Sequence, residues 1–237
     1  TDWLGLPVPE GKKRPVLYVA CEDAASELQR RFRAVCNGHD RDSISLHVWP
    51  WRGHDTYLCE SDPRTKRLRH TSAFTALKEH IEELHAWYST TLGADYGGIV
   101  IILDTLANFF GGDELSRAQV QTFINRIIGR LCQDRDSTLN STTEYAHSAV
   151  LLAHTNKSGQ YSGSTAWNNS VAARLSLAKK PVAASKTGEA DACQTAPNGA
   201  PIMALTQEKS NYGPSGQEQL IHFDSGVFIV SDPKKQN

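Results

Sequence analysis

Short apolar runs alternate with amphipathic stretches along most of the chain. Four runs of apolar or β-branched residues have the length of buried strands, and they occupy residues 15–20, 45–49, 99–103 and 149–153. Between them, large apolar residues recur near the 3.6-residue period of a helix that packs on one face, over residues 24–36, 74–88 and 120–131. This alternation favours a parallel sheet with crossover helices, because each helix returns the chain to the same end of the sheet.

The last third of the chain has a different pattern. A short helix is predicted near residues 167–173 and a strand at 174–178, followed by residues 179–199, which lack large apolar groups and are predicted to form a mobile loop. Three further strands are predicted at 202–206, 219–223 and 227–230. We therefore expect one domain over residues 1–237, an α/β fold with a mainly parallel central sheet flanked by helices and C-terminal antiparallel strands.

Polar residues follow three of the apolar runs, namely Glu22-Asp23, Asp104-Thr105 and His154-Thr155. Ligands of open parallel sheets bind outside the carboxyl ends of the strands, so these side chains are expected to share one crevice. Each has a simpler alternative when it is taken alone. Asp104 is also typical of a turn cap, Glu22 of an interaction with the dipole of the next helix, and His154 of a hydrogen-bonded histidine.

Composition narrows the class of protein. The 237 residues are 39% hydrophobic and 22% charged, and no apolar run approaches the roughly 20 residues that cross a bilayer. No secretion signal is recognisable, so a cytoplasmic location is the expectation. The five cysteines are scattered without a CxxC pair, which predicts free thiols. A net charge of −1 means that any contact with nucleic acid depends on local basic clusters.

Several short segments match a known family more specifically than periodicity requires. They are Asp2-Trp3-Leu4-Gly5, Val16-Leu17-Tyr18-Val19 before Glu22-Asp23, Ile101-Ile102-Leu103-Asp104-Thr105-Leu106 with Phe109-Phe110, His154-Thr155-Asn156-Lys157-Ser158-Gly159, Gly163-Ser164-Thr165-Ala166-Trp167, Lys209-Ser210-Asn211-Tyr212-Gly213 and Asp224-Ser225-Gly226-Val227. Over almost its whole length the chain resembles the RepA-type branch of the RecA-like ATPases, which includes plasmid and phage replicative helicases.

The resemblance implies a RecA-like core that uses ATP and Mg²⁺ and works as a homo-oligomeric ring on single-stranded DNA. In such a core Glu22 orients and deprotonates the attacking water, Asp104 organises Mg²⁺, and His154 senses the γ-phosphate. The resemblance also places Asp23 and Thr105 beside the nucleotide.

Cations from one subunit of such a ring reach the nucleotide of the next. Lys209, in its Lys-x-Asn-Tyr motif, is the candidate, and a solvated lysine is the alternative. Relatives often place an arginine finger where this chain has Ala172-Ala173. Arg174 therefore either acts from a shifted position or points to solvent.

Basic residues in two loops are candidates for DNA contacts. Lys157, Lys179 and Lys180 are expected to line a pore and follow a phosphate backbone, although such loops also occur without any ligand.

The sequence lacks a GxxxxGK[ST] phosphate loop, and residues 185–188 lack the upstream glycines that a substitute needs. In relatives this loop, its strand and its helix precede the segment that here begins at Asp2. The sequence is therefore expected to be truncated at its N-terminus, with weak ATP binding and unpaired sheet edges when it is expressed alone. Besides a helicase, the pattern leaves open a RecA-like ATPase for recombination or protein loading, and a non-catalytic α/β binding module.

Overall fold

The computed structural model describes residues 2–4, 6–7, 10–36, 44–133, 147–155, 164–181 and 193–231. Its strands are β1 (Asp2–Trp3), β2 (Leu6–Pro7), β3 (Val16–Ala20), β4 (Leu46–Pro50), β5 (Cys59–Ser61), β6 (Leu68–His70), β7 (Val100–Asp104), β8 (Phe110–Gly111), β9 (Ser148–Leu152), β10 (Ala173–Lys179), β11 (Ile202–Ser210), β12 (Glu218–Asp224) and β13 (Val227–Val230). Its α-helices are α1 (Ala25–Val35), α2 (Ser72–Leu92), α3 (Leu106–Phe109), α4 (Arg117–Thr122), α5 (Gly129–Cys132) and α6 (Ala166–Ser170).

Contacts within the chain separate two compact units. The larger comprises Glu10–Arg30 and Gly38–Ser170, and the smaller comprises Thr1–Pro9, Arg31–Asn37 and Val171–Asn237.

The larger unit is built on a parallel sheet of strand order β4-β3-β7-β9. Leu17, Val19, Ile101 and Leu103 share one face of this sheet and are fully buried. They share it because successive residues of a strand point to opposite sides. The parallel sheet and its crossover helices confirm the α/β fold that the alternating pattern predicts.

Helix α2 supplies the longest apolar stripe of the core. Thr71 caps its first turn, since the Thr71 hydroxyl accepts a hydrogen bond of 3.3 Å from the Phe74 amide. Gly93, with φ of 53°, ends the helix. The buried side chains recur at helical spacing, and they are Ala73, Phe74, Leu77, Ile81, Leu84 and Tyr88. The predicted apolar face is therefore the face that enters the core.

The third predicted helix contains a wide turn in its middle. Residues Phe123–Ile128 between α4 and α5 form a π-helical segment, and the Gly129 amide bonds to the Ile124 carbonyl, five residues back. Phe123, Ile127, Ile128 and Leu131 are buried, and Ile124 packs against the core from a partly buried position.

Strands β5 and β6 lie within residues 50–71, for which the sequence predicts no definite element, and they join β8 in a small sheet of order β6-β5-β8. Strand β5 pairs antiparallel with β6 and parallel with β8. At the second pairing the chains approach closely, because a Cβ atom on Gly111 would stand 2.3 Å from the Cys59 carbonyl oxygen. Glycine is therefore required at this position.

The smaller unit contains an antiparallel sheet of order β10-β11-β12-β13, which confirms the predicted C-terminal antiparallel strands. Strand β11 is longer than the sequence predicts and ends at Ser210. Of the predicted mobile loop, residues 182–192 lie outside the described ranges. An isolated bridge joins Pro181 to Cys193, the described residues at the two ends of this segment, and a second bridge joins Thr195 to Pro201.

The five cysteines are free thiols, as predicted. In the part of the chain that the structure describes, no helix is both long and apolar enough to cross a bilayer.

Candidate active site

Strand register brings the three polar strand ends to one edge of the sheet. Ala20 of β3 pairs with Asp104 of β7, and Asp104 pairs with Leu152 of β9. Glu22 and His154 each follow two residues after a paired position. The three neighbouring strands run in the same direction, so these residues emerge side by side.

The Glu22 carboxylate is the most highly connected group at this edge. Its Oε1 atom accepts hydrogen bonds from the Thr105 hydroxyl (3.1 Å) and the Asn108 amide nitrogen (3.3 Å). Its Oε2 atom lies 3.7 Å from His154 Nε2. The side chains of Glu22 and His154 are 52% and 78% exposed, whereas Thr105 is buried. The carboxylate is thus fixed from beneath and open to solvent from above.

Asp104 is held through a neighbouring strand. Its Oδ2 atom accepts a hydrogen bond from the Tyr18 hydroxyl, and its carbonyl accepts one of 2.9 Å from the Cys21 amide. Tyr18 lies two residues before the register partner of Asp104, so the two side chains share a face of the sheet. The Asp104–Thr105 peptide bond is cis.

Asn108 contacts Glu22 and Thr105 although it lies outside the sequence motifs that predict the site. Its side-chain amide donates to both Glu22 and the Thr105 hydroxyl, the latter at 3.1 Å. Its backbone carbonyl accepts a hydrogen bond of 2.6 Å from the Thr56 hydroxyl. Its position in the sequence could have indicated this role. Asn108 follows Thr105 by three residues at the start of a short helix, and this spacing places the side chains of Thr105 and Asn108 on the same side.

The half-buried thiol of Cys21 is close enough to the two carboxylates to feel their charge. Burial raises the pKa of Cys21 to about 11, and the negative charges of Asp104 and Glu22 act in the same direction, while a hydrogen bond with Thr56 lowers the pKa. Burial likewise raises the pKa values of Cys59 and Cys132 to about 11. These thiols are therefore protonated at neutral pH.

Alkylation measures this protonation directly. At pH 8 a pKa of about 11 leaves about one thiol in a thousand as the reactive thiolate. We expect iodoacetamide to modify Cys21, Cys59 and Cys132 slowly in the folded chain and rapidly in urea, as read by peptide mass spectrometry. The unfolded thiols ionise near their ordinary value of 9.0, so the free energy of unfolding should fall as the pH rises from about 9 to 11. Equal labelling rates at pH 8 in buffer and in urea would contradict the burial of these thiols.

The chemistry of the site suits a metal-bound nucleotide. In the described ranges no three His, Cys, Asp or Glu side chains gather as a metal cluster. Magnesium needs no such cluster, since it is commonly bound by one or two carboxylates together with phosphate oxygens and water. Asp104 offers such an oxygen ligand, and the exposed Glu22 and His154 lie at the same edge.

The predicted cations of the smaller unit have partners within that unit. Lys209 Nζ donates a hydrogen bond of 2.6 Å to the Val171 carbonyl, and Arg174 forms an ion pair of 2.9 Å with Glu208. Ser176 and Arg174 hold the pKa of Glu208 below its ordinary value through hydrogen bonds. Each cation would have to leave these contacts to take the role that the resemblance implies.

The predicted DNA-contacting lysines differ in their surroundings. Lys179 is exposed at the end of β10, whereas Lys180 forms an ion pair of 2.5 Å with Glu218. Lys157 lies outside the described ranges. Asp23 is half-buried at the turn between β3 and α1.

Comparisons with known proteins identify the family of the chain. No curated protein matches the chain significantly. Among the solved structures that match, the crystal structure of the RadB recombinase has a TM-score of 0.47 and 10% sequence identity, over 92% of this chain and 80% of that chain. A family model described as an AAA domain, AAA_25, matches residues 1–160, which is more than half of the chain. The chain therefore belongs to this AAA domain family, a family of RecA-like P-loop ATPases.

Proposed function

We propose that the protein hydrolyses ATP at the edge formed by β3, β7 and β9, and that it couples hydrolysis to movement along single-stranded DNA as a RepA-type ring helicase. One observation carries this proposal. The Glu22 carboxylate is held by Thr105 and Asn108 and faces His154 at 3.7 Å, beside the strand that ends in Asp104. A base, a metal ligand and an exposed histidine at the end of neighbouring parallel strands fit phosphoryl transfer, in which positioning and charge do most of the work.

In this mechanism Glu22 takes a proton from water as the water oxygen bonds to the γ-phosphorus. The bond from phosphorus to the β,γ-bridging oxygen breaks, and ADP and phosphate leave. Thr105 and Asn108 fix the carboxylate so that one oxygen stays free for the proton. Asp104 would hold Mg²⁺, which would supply positive charge against the phosphate oxygens. His154 contacts the γ-phosphate, and Asp23 lies beside the nucleotide.

The remaining parts of the proposal concern neighbouring molecules. Lys209 is the cation offered to the nucleotide of the next subunit, and Arg174 is the candidate arginine finger after release from Glu208. Lys157, Lys179 and Lys180 contact the DNA backbone within the ring. A homo-oligomer is required, because these cations act on a site of another copy.

Two assays on the protein as its gene encodes it test this function. Steady-state ATP hydrolysis should require Mg²⁺ and rise with single-stranded DNA, and forked DNA should be unwound. Hydrolysis without unwinding would contradict the helicase and favour an ATPase for recombination or protein loading. Absence of both ATP binding and hydrolysis would contradict the proposal and favour a non-catalytic binding module.

The hydroxyl of Tyr18 provides a sharper test of the metal site. Tyr18→Phe removes the only group shown to orient the Asp104 carboxylate through its Oδ2 atom within the described ranges. Loss of such a partner typically weakens metal binding by about 10- to 100-fold. We therefore expect the Mg²⁺ concentration for half-maximal hydrolysis to rise by about tenfold or more. The matched control is Tyr57→Phe, at an exposed tyrosine, and an equal Mg²⁺ requirement in both variants would contradict the role of Asp104.

A further inference from the structure

The β5–β6 hairpin concentrates positive charge. Residues 59–70 include four cations, Arg64, Lys66, Arg67 and Arg69, and two carboxylates, Glu60 and Asp62. Arg69 is the neighbour of both carboxylates. It forms an ion pair with Asp62 and is the register partner of Glu60 on the adjacent strand. The other three cations lie at the hairpin tip, are exposed, and form no ion pair with any described residue.

The backbone of this tip is fixed by hydrogen bonds that leave the side chains of Arg64, Lys66 and Arg67 uninvolved. The buried Asp62 carboxylate accepts from the amides of Arg64 (2.9 Å) and Thr65 (2.7 Å). The Lys66 carbonyl accepts from the Gln119 side chain at 3.0 Å. The tip is therefore preorganised, which lowers the entropic cost of binding a partner.

Lys66 occupies a backbone conformation that favours glycine. Its φ is 57°, in the left-handed region, and its amide bonds to the Asp62 carbonyl at 2.8 Å. A non-glycine residue is strained in this region, because its Cβ atom approaches the following carbonyl oxygen. Glycine would adopt this backbone conformation with less strain than lysine. The lysine side chain therefore does not help to form the turn and is available for another role.

A further cation extends the basic surface along the hairpin. Arg130 Nη1 lies 3.0 Å from His70 Nε2. Burial and the positive charge of Arg130 hold the pKa of His70 below its ordinary value, so the imidazole is neutral and accepts from the guanidinium. Arg130 thus keeps its charge and adds it to the hairpin.

We propose that the tip of the β5–β6 hairpin, formed by Arg64, Lys66 and Arg67, binds the phosphate backbone of single-stranded DNA. Only two residues lie between Arg64 and Arg67, so the three cations of the tip are close enough in the chain to contact neighbouring phosphates of one strand. Arginine suits this contact because its planar guanidinium donates two parallel hydrogen bonds to phosphate.

The composition of the tip argues against other anionic partners. Protein interfaces have an apolar or aromatic centre, and membrane-bound segments insert apolar side chains. Residues 63–67 read Pro-Arg-Thr-Lys-Arg and offer no aromatic or large aliphatic group. Backbone contacts to nucleic acid need none, and they are independent of base sequence. The proposal adds a DNA-contacting surface to the proposed function and does not depend on ATP hydrolysis.

Binding of a labelled single-stranded oligonucleotide, followed by fluorescence anisotropy without nucleotide, tests the surface. The variant Arg64→Gln/Lys66→Gln/Arg67→Gln should lower the salt dependence, the slope of log K against log salt, by about 2, at about 0.7 for each lost phosphate contact. This corresponds to about 100-fold weaker binding at 0.1 M salt. The matched control Lys13→Gln/Arg117→Gln/Arg126→Gln removes the same charge from exposed positions elsewhere and should lose no more than about threefold.

The outcomes are distinct. Equal losses in the hairpin and control variants, or no binding by the unaltered chain at low salt, would overturn the proposal. So would displacement of DNA by poly-glutamate at equal charge, which would assign the hairpin to an acidic polypeptide. A parallel variant, Lys179→Gln/Lys180→Gln, separates this surface from the lysines of the proposed function. If the triple variant unfolds, the three single substitutions should each weaken binding about fivefold.

Discussion

Glu22→Gln is expected to lower kcat for ATP hydrolysis by about 10²- to 10⁴-fold, the usual contribution of a positioned general base. Glutamine keeps the shape of the side chain and an oxygen that accepts from Thr105 and Asn108, so the site should keep its geometry. It cannot take a proton from water. ATP binding, measured by titration of a fluorescent analogue, should therefore stay within about twofold, because only a transition-state interaction is lost.

The control for this substitution is Glu79→Gln, which neutralises an exposed carboxylate on α2. It should leave kcat unchanged. A loss of less than tenfold in Glu22→Gln would show that another group activates the water, and a parallel loss of ATP binding would point to a structural role for the carboxylate.

Gly111→Ala is expected to destabilise the larger unit by about 3 kcal/mol, at the upper end of the cost of overpacking. The added Cβ atom would meet the Cys59 carbonyl oxygen at 2.3 Å, and backbone cannot move aside as a flexible side chain does. The β5–β8 pairing would have to open. The loss is a large fraction of a typical free energy of unfolding, which is about 5–15 kcal/mol. It should therefore appear as a lower urea midpoint when unfolding is followed by tryptophan fluorescence.

Gly11→Ala is the matched control, because no atom lies within 4 Å of its added Cβ and its φ is not positive. Its free energy of unfolding, obtained from urea titration, should lie within about 0.5 kcal/mol of that of the unaltered chain, which is the usual range for surface substitutions. If both variants unfold at the same urea concentration, the close approach of β5 and β8 is not a constraint on stability.

The parallel sheet was predictable because its strands are apolar runs at a regular distance from amphipathic helices. Predicted and observed limits of β3, β7 and β9 differ by one residue. The meeting of Glu22 with His154 followed from strand direction alone, since both residues come after parallel strands that flank β7.

The contacts of Tyr18 and Asn108 could not be read in the same way. Tyr18 lies within an apolar run and looks like a core residue, yet the register directs its hydroxyl to Asp104. The hairpin escaped prediction because strands of three residues carry too few alternating positions to distinguish them from a loop.

Some residues that support the family resemblance prove to be packing residues. Phe110 and Trp167 lie in two of the matching segments, and their rings contact edge to face with centroids 5.2 Å apart. Phe123 completes the cluster at 5.0 Å from Phe110. A resemblance in sequence therefore reports on the core as well as on the proposed catalytic edge.

The wide turn at Phe123–Ile128 has a consequence for the numbering of relatives. Such a turn holds about one residue more than an α-helical path of the same rise. A family member with a regular helix there has one residue fewer, and an alignment without a gap assigns each later position of that helix to the wrong side, by about 100°. Leu131, buried here, would then be matched to a residue that faces another direction.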